Sequence, residues 1–323
     1  MLTVKQLNHA LALNRYRNFH RAAEAERISQ SAFSRSIRAL ENELGVRLFD
    51  RQGAGVAPTL FGETFLRRAE AVIGETQELL REINLLKGLG AGSLKVAAGV
   101  YAAEMSAARA MGELHERHPD LYCRVQLTNW PRVPDLVASR EVDLGLAEVS
   151  TLSTTNELQV DPVGNHQFIF FTRTGHPLDG QKGARIADLD NYAVVTVRLP
   201  PRVAAVFPGR TRTDKKTGEL VPTIEVDDLT SALEIVATSN AFGLATPLQL
   251  EPWLQSGEMK ALPFHASWMK LNYGFIYLRQ RMLSPAAALY MELVKKIEKD
   301  NARRNQALMR RIASEGGGHQ QEG

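Results

Sequence analysis

One stretch near the N-terminus decides the fold of the first part of the chain: residues 28–44, ISQSAFSRSIRALENEL. Its apolar residues recur at intervals near 3.6, the period of a helix with one buried side. These residues are Ile28, Phe33, Ile37, Leu40 and Leu44. Ser29 stands where a helix N-cap belongs, because a serine hydroxyl accepts a hydrogen bond from a free amide of the first turn. The stretch therefore predicts an amphipathic helix that begins just after Ser29.

The side of this helix opposite the apolar stripe is polar and basic. At about 100° per residue, Ser31, Arg35 and Arg38 point away from the stripe, and Gln30 and Ser34 flank them near the N-terminal end. Arginine bonds guanine through two hydrogen bonds, glutamine pairs with adenine, and serine hydroxyls hold phosphate. This face predicts contact with double-stranded DNA in a major groove. An ordinary solvated helix face is the alternative.

Two shorter helical patterns precede this helix. Leucines and alanines recur at helical spacing in residues 7–13, and residues 19–26 contain small side chains that allow close helix packing. Between residues 15 and 38, six arginines oppose two glutamates, a net charge of +4 that exceeds the +3 of the whole chain. The pattern predicts a basic three-helix cluster.

Four runs at matching positions closely resemble the N-terminal domain of LysR-type transcriptional regulators. They are residues 19–24 (FHRAAE), 28–41 (ISQSAFSRSIRALE), 44–51 (LGVRLFDR) and 58–62 (PTLFG). The resemblance implies a winged helix-turn-helix in residues 1–60, with a recognition helix from about Gln30 to Glu43 and a β-wing from Arg47 to Thr59. On this basis the predicted DNA contacts are Ser29, Gln30, Ser31, Ser34, Arg35, Arg38 and Arg51.

Two features depart from the family pattern. Ser31 stands where the family usually has proline, and Ala54 and Ala57 stand where its wing usually carries basic residues. We expect a hydroxyl contact at position 31 and weaker anchoring of the wing in the minor groove. The recognition helix then carries most of the reading.

The apolar positions that follow have the spacing of a coiled-coil seam. They alternate between four and three residues apart, which gives a period of 3.5. They are Phe65, Ala69, Val72, Thr76, Leu79, Ile83 and Leu86. The seam fits the linker helix of the family, so we expect residues 61–88 to form a helix. We expect residues 62–88 of two chains to pair in a homodimer, and two such dimers to form a homotetramer. A helix packed on its own domain is the alternative, and the glycines in residues 88–92 predict a hinge at 89–92.

Strand and helix patterns alternate from residue 93 onward, which predicts α/β lobes built on parallel sheets. The predicted strands are 93–99, 123–127, 142–147, 167–171, 192–197, 224–226 and 243–246, and the predicted helices are 102–117, 133–139 and 229–239. The architecture resembles the effector domain of the same family, whose two lobes look like periplasmic solute-binding proteins. We place this effector-binding domain at 93–300, with lobe I at about 93–161 and 266–300 and lobe II at about 162–265. Residues 301–323 are predicted to be a disordered tail.

Ligands of parallel sheets bind beyond the carboxyl ends of the strands, and in a two-lobed domain these ends face a common cleft. The rule names Val100, Tyr101, Ala102, Thr128, Asn129, Trp130, Thr196, Arg198, Phe242 and Thr246 as candidate effector contacts. Helix N-terminal amides and Arg198 suit an anion, so an organic acid is a candidate effector. Tyr101, Trp130 and Phe242 suit an apolar body. Each of these residues also has an ordinary reading as a loop or core residue.

Other functions find little support in the sequence. The chain contains no P-loop, GxSxG elbow, HExxH motif or GxGxxG after a strand, so we expect neither an enzyme nor a cofactor, and no metal site. The absence of a long apolar run and of a secretory leader predicts a cytoplasmic protein without a membrane partner. The leading hypothesis is an effector-responsive regulator that contacts RNA polymerase if it activates transcription. A DNA-independent solute receptor or scaffold is the alternative.

Overall fold

The computed structural model describes residues 2–52, 55–86, 92–179, 185–264 and 266–315. The chain divides into two compact units, Met1–Lys87 and Gly88–Gly323. None of the helices in the described ranges is long and apolar enough to cross a membrane.

The first unit combines helices with a β-hairpin. Its elements are α1 (Val4–Tyr16), α2 (Phe19–Ala25), α3 (Gln30–Leu44), β1 (Phe49–Gln52), β2 (Gly55–Pro58) and α4 (Leu60–Leu86). The apolar stripe of α3 is buried as the sequence predicts: Phe33, Ile37 and Leu40 pack in one core with residues of α1 and α2. The antiparallel hairpin β1–β2 is the predicted wing. This arrangement confirms the winged helix-turn-helix.

The second unit holds two five-stranded sheets. Its strands are β3 (Ser93–Ala98), β4 (Tyr122–Leu127), β5 (Leu144–Glu148), β6 (Leu158–Gln167), β7 (Ile169–Arg173), β8 (Val194–Thr196), β9 (Arg212–Thr213), β10 (Leu220–Val221), β11 (Ile224–Glu225), β12 (Phe242–Ala245), β13 (Met259–Ala261) and β14 (Lys270–Leu278). The strand order is β4-β3-β5-β14-β6 in one sheet and β11-β8-β12-β7-β13 in the other. We call the part built on the first sheet lobe I and the part built on the second lobe II. The predicted two-lobed α/β fold is confirmed.

Helices cover these sheets. They are α5 (Val100–Ala102), α6 (Ala108–Arg117), α7 (Val133–Ala138), α8 (Pro201–Ala204), α9 (Leu229–Ala237), α10 (Pro247–Ser256) and α11 (Pro285–Glu315). A π-helical turn, Ala103–Ala107, joins α5 to α6. The strands β9 and β10 form a small antiparallel hairpin around the basic loop 210–218.

The predicted parallel pairing is confirmed for β3 with β4 and β5 and for β8 with β11 and β12, but each sheet also contains antiparallel pairs that the sequence analysis did not predict. The long strand β14 runs antiparallel to both β5 and β6, and β7 runs antiparallel to β12 and β13. The reason is topological. The chain leaves lobe I at Gln167 and returns at Lys270. The first strand after each crossing, β7 and then β14, runs against the parallel core of its sheet, whereas the strand before each crossing, β6 and then β13, runs with the core. The boundary between the lobes therefore lies at 167/168 and 269/270 instead of 161/162 and 265/266.

The prediction of disorder from residue 301 is also wrong for residues 301–315, which continue helix α11. Asn301 and Asn305 on this segment are buried and hydrogen-bonded, and Met309 and Ile312 pack against the core of lobe II. Tertiary contacts thus keep the helix formed where its composition alone favours fraying. Residues 316–323 and most of the predicted hinge at 89–92 lie outside the described residues.

Candidate DNA-binding surface and ligand cleft

The recognition helix α3 is fixed at both ends. The Ser29 hydroxyl accepts a hydrogen bond from the amide of Ala32 at 3.2 Å, as the N-cap prediction requires. Gly45 ends the helix with φ of 69°, a left-handed conformation that glycine adopts without strain. The boundaries of the reading helix therefore follow from two local residues.

The predicted DNA contacts share the outer face of α3. Ser29, Gln30, Ser31, Arg35 and Arg38 are exposed, and Ser34 is half-buried beside them. Arg38 Nη2 donates to Ser34 Oγ at 3.1 Å, and the hydroxyls of Ser29 and Ser31 lie 3.1 Å apart. The structure thus gathers six of the seven predicted contacts on one helix face.

The wing holds the seventh predicted contact. Arg51 lies in β1 opposite Val56 of β2, and its side chain is outside the described residues. Ala57 is in β2 and half-buried, while Ala54 at the tip also lies outside the described residues. The expectation of a weakly anchored wing stays a prediction.

Two residues that the sequence analysis did not single out hold the wing in place. Glu41 Oε1 accepts hydrogen bonds from the amides of Leu48 and Phe49 at 2.8 and 3.1 Å, which ties the base of the hairpin to α3. A Cβ atom at Gly62 would overlap the carbonyl oxygen of Leu48, so only glycine allows α4 to start against this base. Both residues lie in the runs that resemble the family, but neither has a pattern that reveals its partner.

The second unit has a cleft between its lobes. Two adjoining cavities lie there, with about 340 and 410 Å³ of empty space when the part open to solvent is included, and both are lined mainly by apolar side chains. Of the predicted contacts, the lining includes Val100, Tyr101, Ala102, Asn129, Trp130, Arg198 and Thr246. The rule that ligands bind beyond strand ends thus brings most of its candidates to one place.

Three predicted residues are placed differently. Phe242 is fully buried in the core of lobe II, with its ring centroid 5.4 Å from that of Phe170. Thr128 continues the pairing of β4 through its amide and does not line the cleft. Thr196 is buried behind the lining and contacts it through the Tyr101 hydroxyl, 3.0 Å from its own hydroxyl.

Direct hydrogen bonds join the lobes across the cleft. The Tyr101 hydroxyl of lobe I donates to the carbonyl of Leu244 in lobe II at 3.4 Å, in addition to its contact with Thr196. Trp130 Nε1 donates to the carbonyl of Arg198 at 3.0 Å. Burial raises the pKa of the Tyr101 hydroxyl, so this group stays protonated and available as a donor. The two aromatic side chains therefore bridge the lobes across the cleft.

Arg198 does not present a free positive charge to the cleft. Its guanidinium lies 2.9 Å from Glu225, 3.4 Å from Asp214 and 3.5 Å from Glu219. Asp214 and Glu219 belong to the loop and hairpin around residues 210–218, so this basic loop is anchored through its carboxylates. A ligand carboxylate would have to compete with three carboxylates of the protein.

A second arginine, Arg202, which the sequence analysis missed, lines one of the two cavities of the cleft. Arg202 of α8 donates from Nε to the Ser150 hydroxyl at 2.9 Å and from Nη1 to the carbonyl of Trp268 at 3.1 Å. Its Nη2 bonds the carbonyl of Lys270 and lies 3.8 Å from Glu148 Oε2. Glu148 follows the same strand-end rule, since it is the last residue of β5, whereas nothing in the sequence around Arg202 indicates its role.

Glu148 is buried and well satisfied. Its carboxylate accepts from the amides of Ser150 at 2.9 Å and Asn272 at 3.2 Å, besides facing Arg202. By contrast, the Asn129 Oδ1 atom is buried at the cleft without a hydrogen-bond partner in the described part of the chain. An unpaired buried amide oxygen is costly, so this atom marks a point where a ligand donor would be stabilised.

The fold and these two sites define a class of protein: a DNA-binding winged helix-turn-helix joined to a two-lobed ligand-binding domain. Comparison with known families agrees. The model for the bacterial regulatory helix-turn-helix protein of the lysR family matches residues 4–63, and the model for the LysR substrate binding domain matches residues 87–297. The chain therefore belongs to the LysR family of DNA-binding transcriptional regulators, whose members carry an effector-binding domain.

Individual relatives support this assignment along most of the chain. The SDS degradation transcriptional activation protein of a Pseudomonas species is 30% identical over 298 residues, which is 91% of this chain and 96% of that protein. The HTH-type transcriptional regulator GbpR of Azospirillum brasilense is 26% identical and covers 88% of this chain and 84% of its own length. The crystal structure of CbnR, a LysR family transcriptional regulator, has a similar fold with a TM-score of 0.61 at 17% identity, covering 93% of this chain and all of that one.

Proposed function

We propose that α3 reads operator DNA through Gln30, Ser31, Ser34, Arg35 and Arg38. The observation that carries the proposal is the outer face of this helix, which is polar, basic and exposed while its opposite face is buried. The Ser34–Arg38 hydrogen bond holds the guanidinium of one of the two arginines beside the preceding turn of the helix before any DNA is bound. Such partial ordering lowers the entropy lost on binding.

The surface of α4 supports a homodimer. Val72, Leu79 and Ile83 of the predicted seam are 49%, 57% and 44% exposed in the single chain. Large apolar side chains repeating along one side of a helix are typical of a surface that a second helix covers. Pairing through residues 62–88 would present two recognition helices to successive major grooves, and a pair of such dimers would form the expected tetramer.

We further propose that the cleft between the lobes binds the effector, and that this effector is largely apolar. Tyr101, Trp130 and Leu271 line the cleft, Arg198 is neutralised by three carboxylates, and Arg202 faces Glu148. These contacts disfavour the organic acid suggested by Arg198 alone. They favour an effector that is mainly apolar and carries one hydrogen-bond donor, which would bond the unpaired Oδ1 atom of Asn129.

A thermal-shift screen tests this effector class. It compares uncharged aromatic and aliphatic alcohols with carboxylates of the same carbon skeleton, and it includes alkyl sulfates because the Pseudomonas relative is named for SDS degradation. Stabilisation by the alcohols alone supports the proposal. Preferential stabilisation by the carboxylates returns Arg198 or Arg202 to the role of anion ligand.

Fluorescence anisotropy on DNA from upstream of the protein's own gene tests the reading face. Arg35→Ala and Arg38→Ala should each weaken specific binding by about 1–3 kcal/mol, roughly 5- to 150-fold, because each removes a bidentate base contact or a phosphate contact. Arg303→Ala is the matched control, since Arg303 is an exposed arginine of the second unit. If both variants bind as tightly as the parent chain, or if the parent chain does not distinguish this DNA from unrelated DNA, the reading face is wrongly assigned and a DNA-independent receptor becomes the better account.

A further inference from the structure

The C-terminal helix α11 extends beyond the residues that match the substrate-domain family. The substrate-domain match ends at residue 297, whereas α11 continues to Glu315. Its first half packs entirely in lobe I: Tyr290, Val294 and Ile297 are buried in the main core there. Its second half, residues 298–315, turns from lobe I to lobe II, where Met309 and Ile312 pack against the core. We name residues 298–315 the C-terminal strap.

Two buried asparagines bond the strap to both lobes. Asn301 donates from Nδ2 to the carbonyl of Met105 in the π-helical turn of lobe I at 2.6 Å. One turn later, Asn305 Oδ1 accepts from the amide of Leu248 in lobe II at 3.1 Å. Leu248 lies in the first turn of α10, where amides lack partners within the helix, so Asn305 caps α10 from a distance.

Asn305 also forms a hydrogen bond at one of the two places where the chain crosses between the lobes. Its Nδ2 donates to the carbonyl of Gln167 at 3.3 Å, and Gln167 is the last residue of lobe I before the chain enters lobe II. Asparagine is a poor residue for the middle of a helix, so its presence there agrees with a role in tertiary hydrogen bonds. An exposed ion pair between Arg304 and Glu251 of α10, at 2.8 Å, adds a further contact to lobe II.

These contacts make the strap a third segment of the main chain that spans both lobes, beside the two chain crossings and in addition to the side-chain bonds of Tyr101, Trp130 and Arg202. A continuous helix does not stretch or bend easily, so the lobes cannot rotate apart while both of its halves stay packed. We propose that the strap holds the lobes in the arrangement bridged by Tyr101 and Trp130, and that the cleft opens when residues 298–315 leave lobe II. The link to effector response rests on the proposed role of the cleft. If only the open form binds the effector and few molecules are open, the apparent affinity for the effector falls in proportion to the open fraction.

Hydrogen exchange of the full-length protein, without DNA or effector, tests the strap directly. Asn305→Ala removes both of its hydrogen bonds while placing a better helix former in α11, so the helix itself is not weakened. We expect exchange in the cleft segments 99–107 and 196–204 to become about tenfold faster. Gln306→Ala is the matched control, because Gln306 is the exposed neighbour on the same helix, and it should exchange like the parent protein.

A second variant guards against a local effect. Met309→Ser combined with Ile312→Ser removes the apolar contact of the strap with lobe II and should accelerate exchange in the same two cleft segments. If either variant accelerates exchange only within residues 298–315 and around Leu248, the strap merely frays and does not control the lobes, and the proposal is overturned. Because no ligand is present, this outcome is independent of whether the cleft binds an effector.

Discussion

The reading face of α3 and the cleft of the second unit present their polar groups in opposite ways. At α3, the side chains proposed to read DNA come from one helix and its N-cap, and all are exposed except the half-buried Ser34. Among the described residues, they form hydrogen bonds only with one another or with the amide of Ala32. In the cleft, the polar side chains come from segments far apart in the chain and bond to one another across the lobes. A surface that reads DNA can therefore vary without cost to the fold, whereas cleft residues stabilise the ligand-free form as well as lining its site.

The largest expected effect lies beneath the reading face. Phe33→Ala should lower the free energy of unfolding of the first unit by about 3–5 kcal/mol, because Phe33 is fully buried and its removal leaves a cavity. All three tryptophans, Trp130, Trp253 and Trp268, lie in the second unit. Urea unfolding followed by circular dichroism should thus show an early transition that tryptophan fluorescence does not report.

Arg35→Ala is the control for this comparison, since its exposed side chain should change neither transition by more than about 0.5 kcal/mol. A stability loss for Arg35→Ala like that of Phe33→Ala would show that the reading face is part of the fold of the first unit. The contrast drawn between the two sites would then fail.

An intermediate effect is expected in the cleft. Tyr101→Phe keeps the ring but removes the hydroxyl that bonds Leu244 and Thr196, so the second unit should lose about 1–2 kcal/mol. Urea unfolding followed by tryptophan fluorescence measures the change. Tyr122→Phe serves as the control, because Tyr122 is 59% exposed on the edge strand β4 and should have little effect. Equal stability of the two variants would contradict a bridging role for Tyr101.

The smallest effect concerns pH and the first unit. His9 is buried beside Ser36, with Nδ1 2.7 Å from the hydroxyl, and burial lowers its pKa below the ordinary value of 6.5. The unfolded chain therefore binds the proton more readily, so the stability contributed by neutral His9 is present above pH 6.5 and is lost as the pH falls toward the folded-state pKa. Urea midpoints from circular dichroism between about pH 7.5 and 5.5 should fall in the parent protein. They should fall less in His9→Gln, and an equal fall in both would assign the dependence to other groups.

Helix α3, which we propose reads DNA, could be predicted from the sequence almost completely. Its buried stripe, its N-cap at Ser29 and the glycine at its end are all local signals, since each depends on residues within a few positions of one another. The parallel strands of the lobe cores and the strand-end rule also led to Tyr101, Asn129 and Trp130. The strand-end rule, applied to β5, also identifies Glu148 as a residue of the cleft.

Other features depend on contacts between distant residues. The antiparallel directions of β14 and β7 follow from the route of the chain between the lobes, which periodicity does not encode. Residues 301–315 are polar and basic enough to suggest disorder, yet Asn301 and Asn305 gain partners in two different lobes. No sequence pattern separates the roles of Arg198 and Arg202. Only their partners in the folded protein do, since Arg198 pairs with three carboxylates and Arg202 bonds Ser150 and faces Glu148.

By itself, the sequence determined the amphipathic helix α3, the apolar spacing along α4 and the alternating elements of the two lobes, because these depend on the periodic placement of apolar side chains. Only the tertiary structure decided which charged side chains of the cleft are neutralised by ion pairs and which hydrogen bonds join the two lobes. Those depend on hydrogen bonds between residues such as Asn305 and Leu248, or Arg202 and Ser150, whose proximity arises only when the chain is folded.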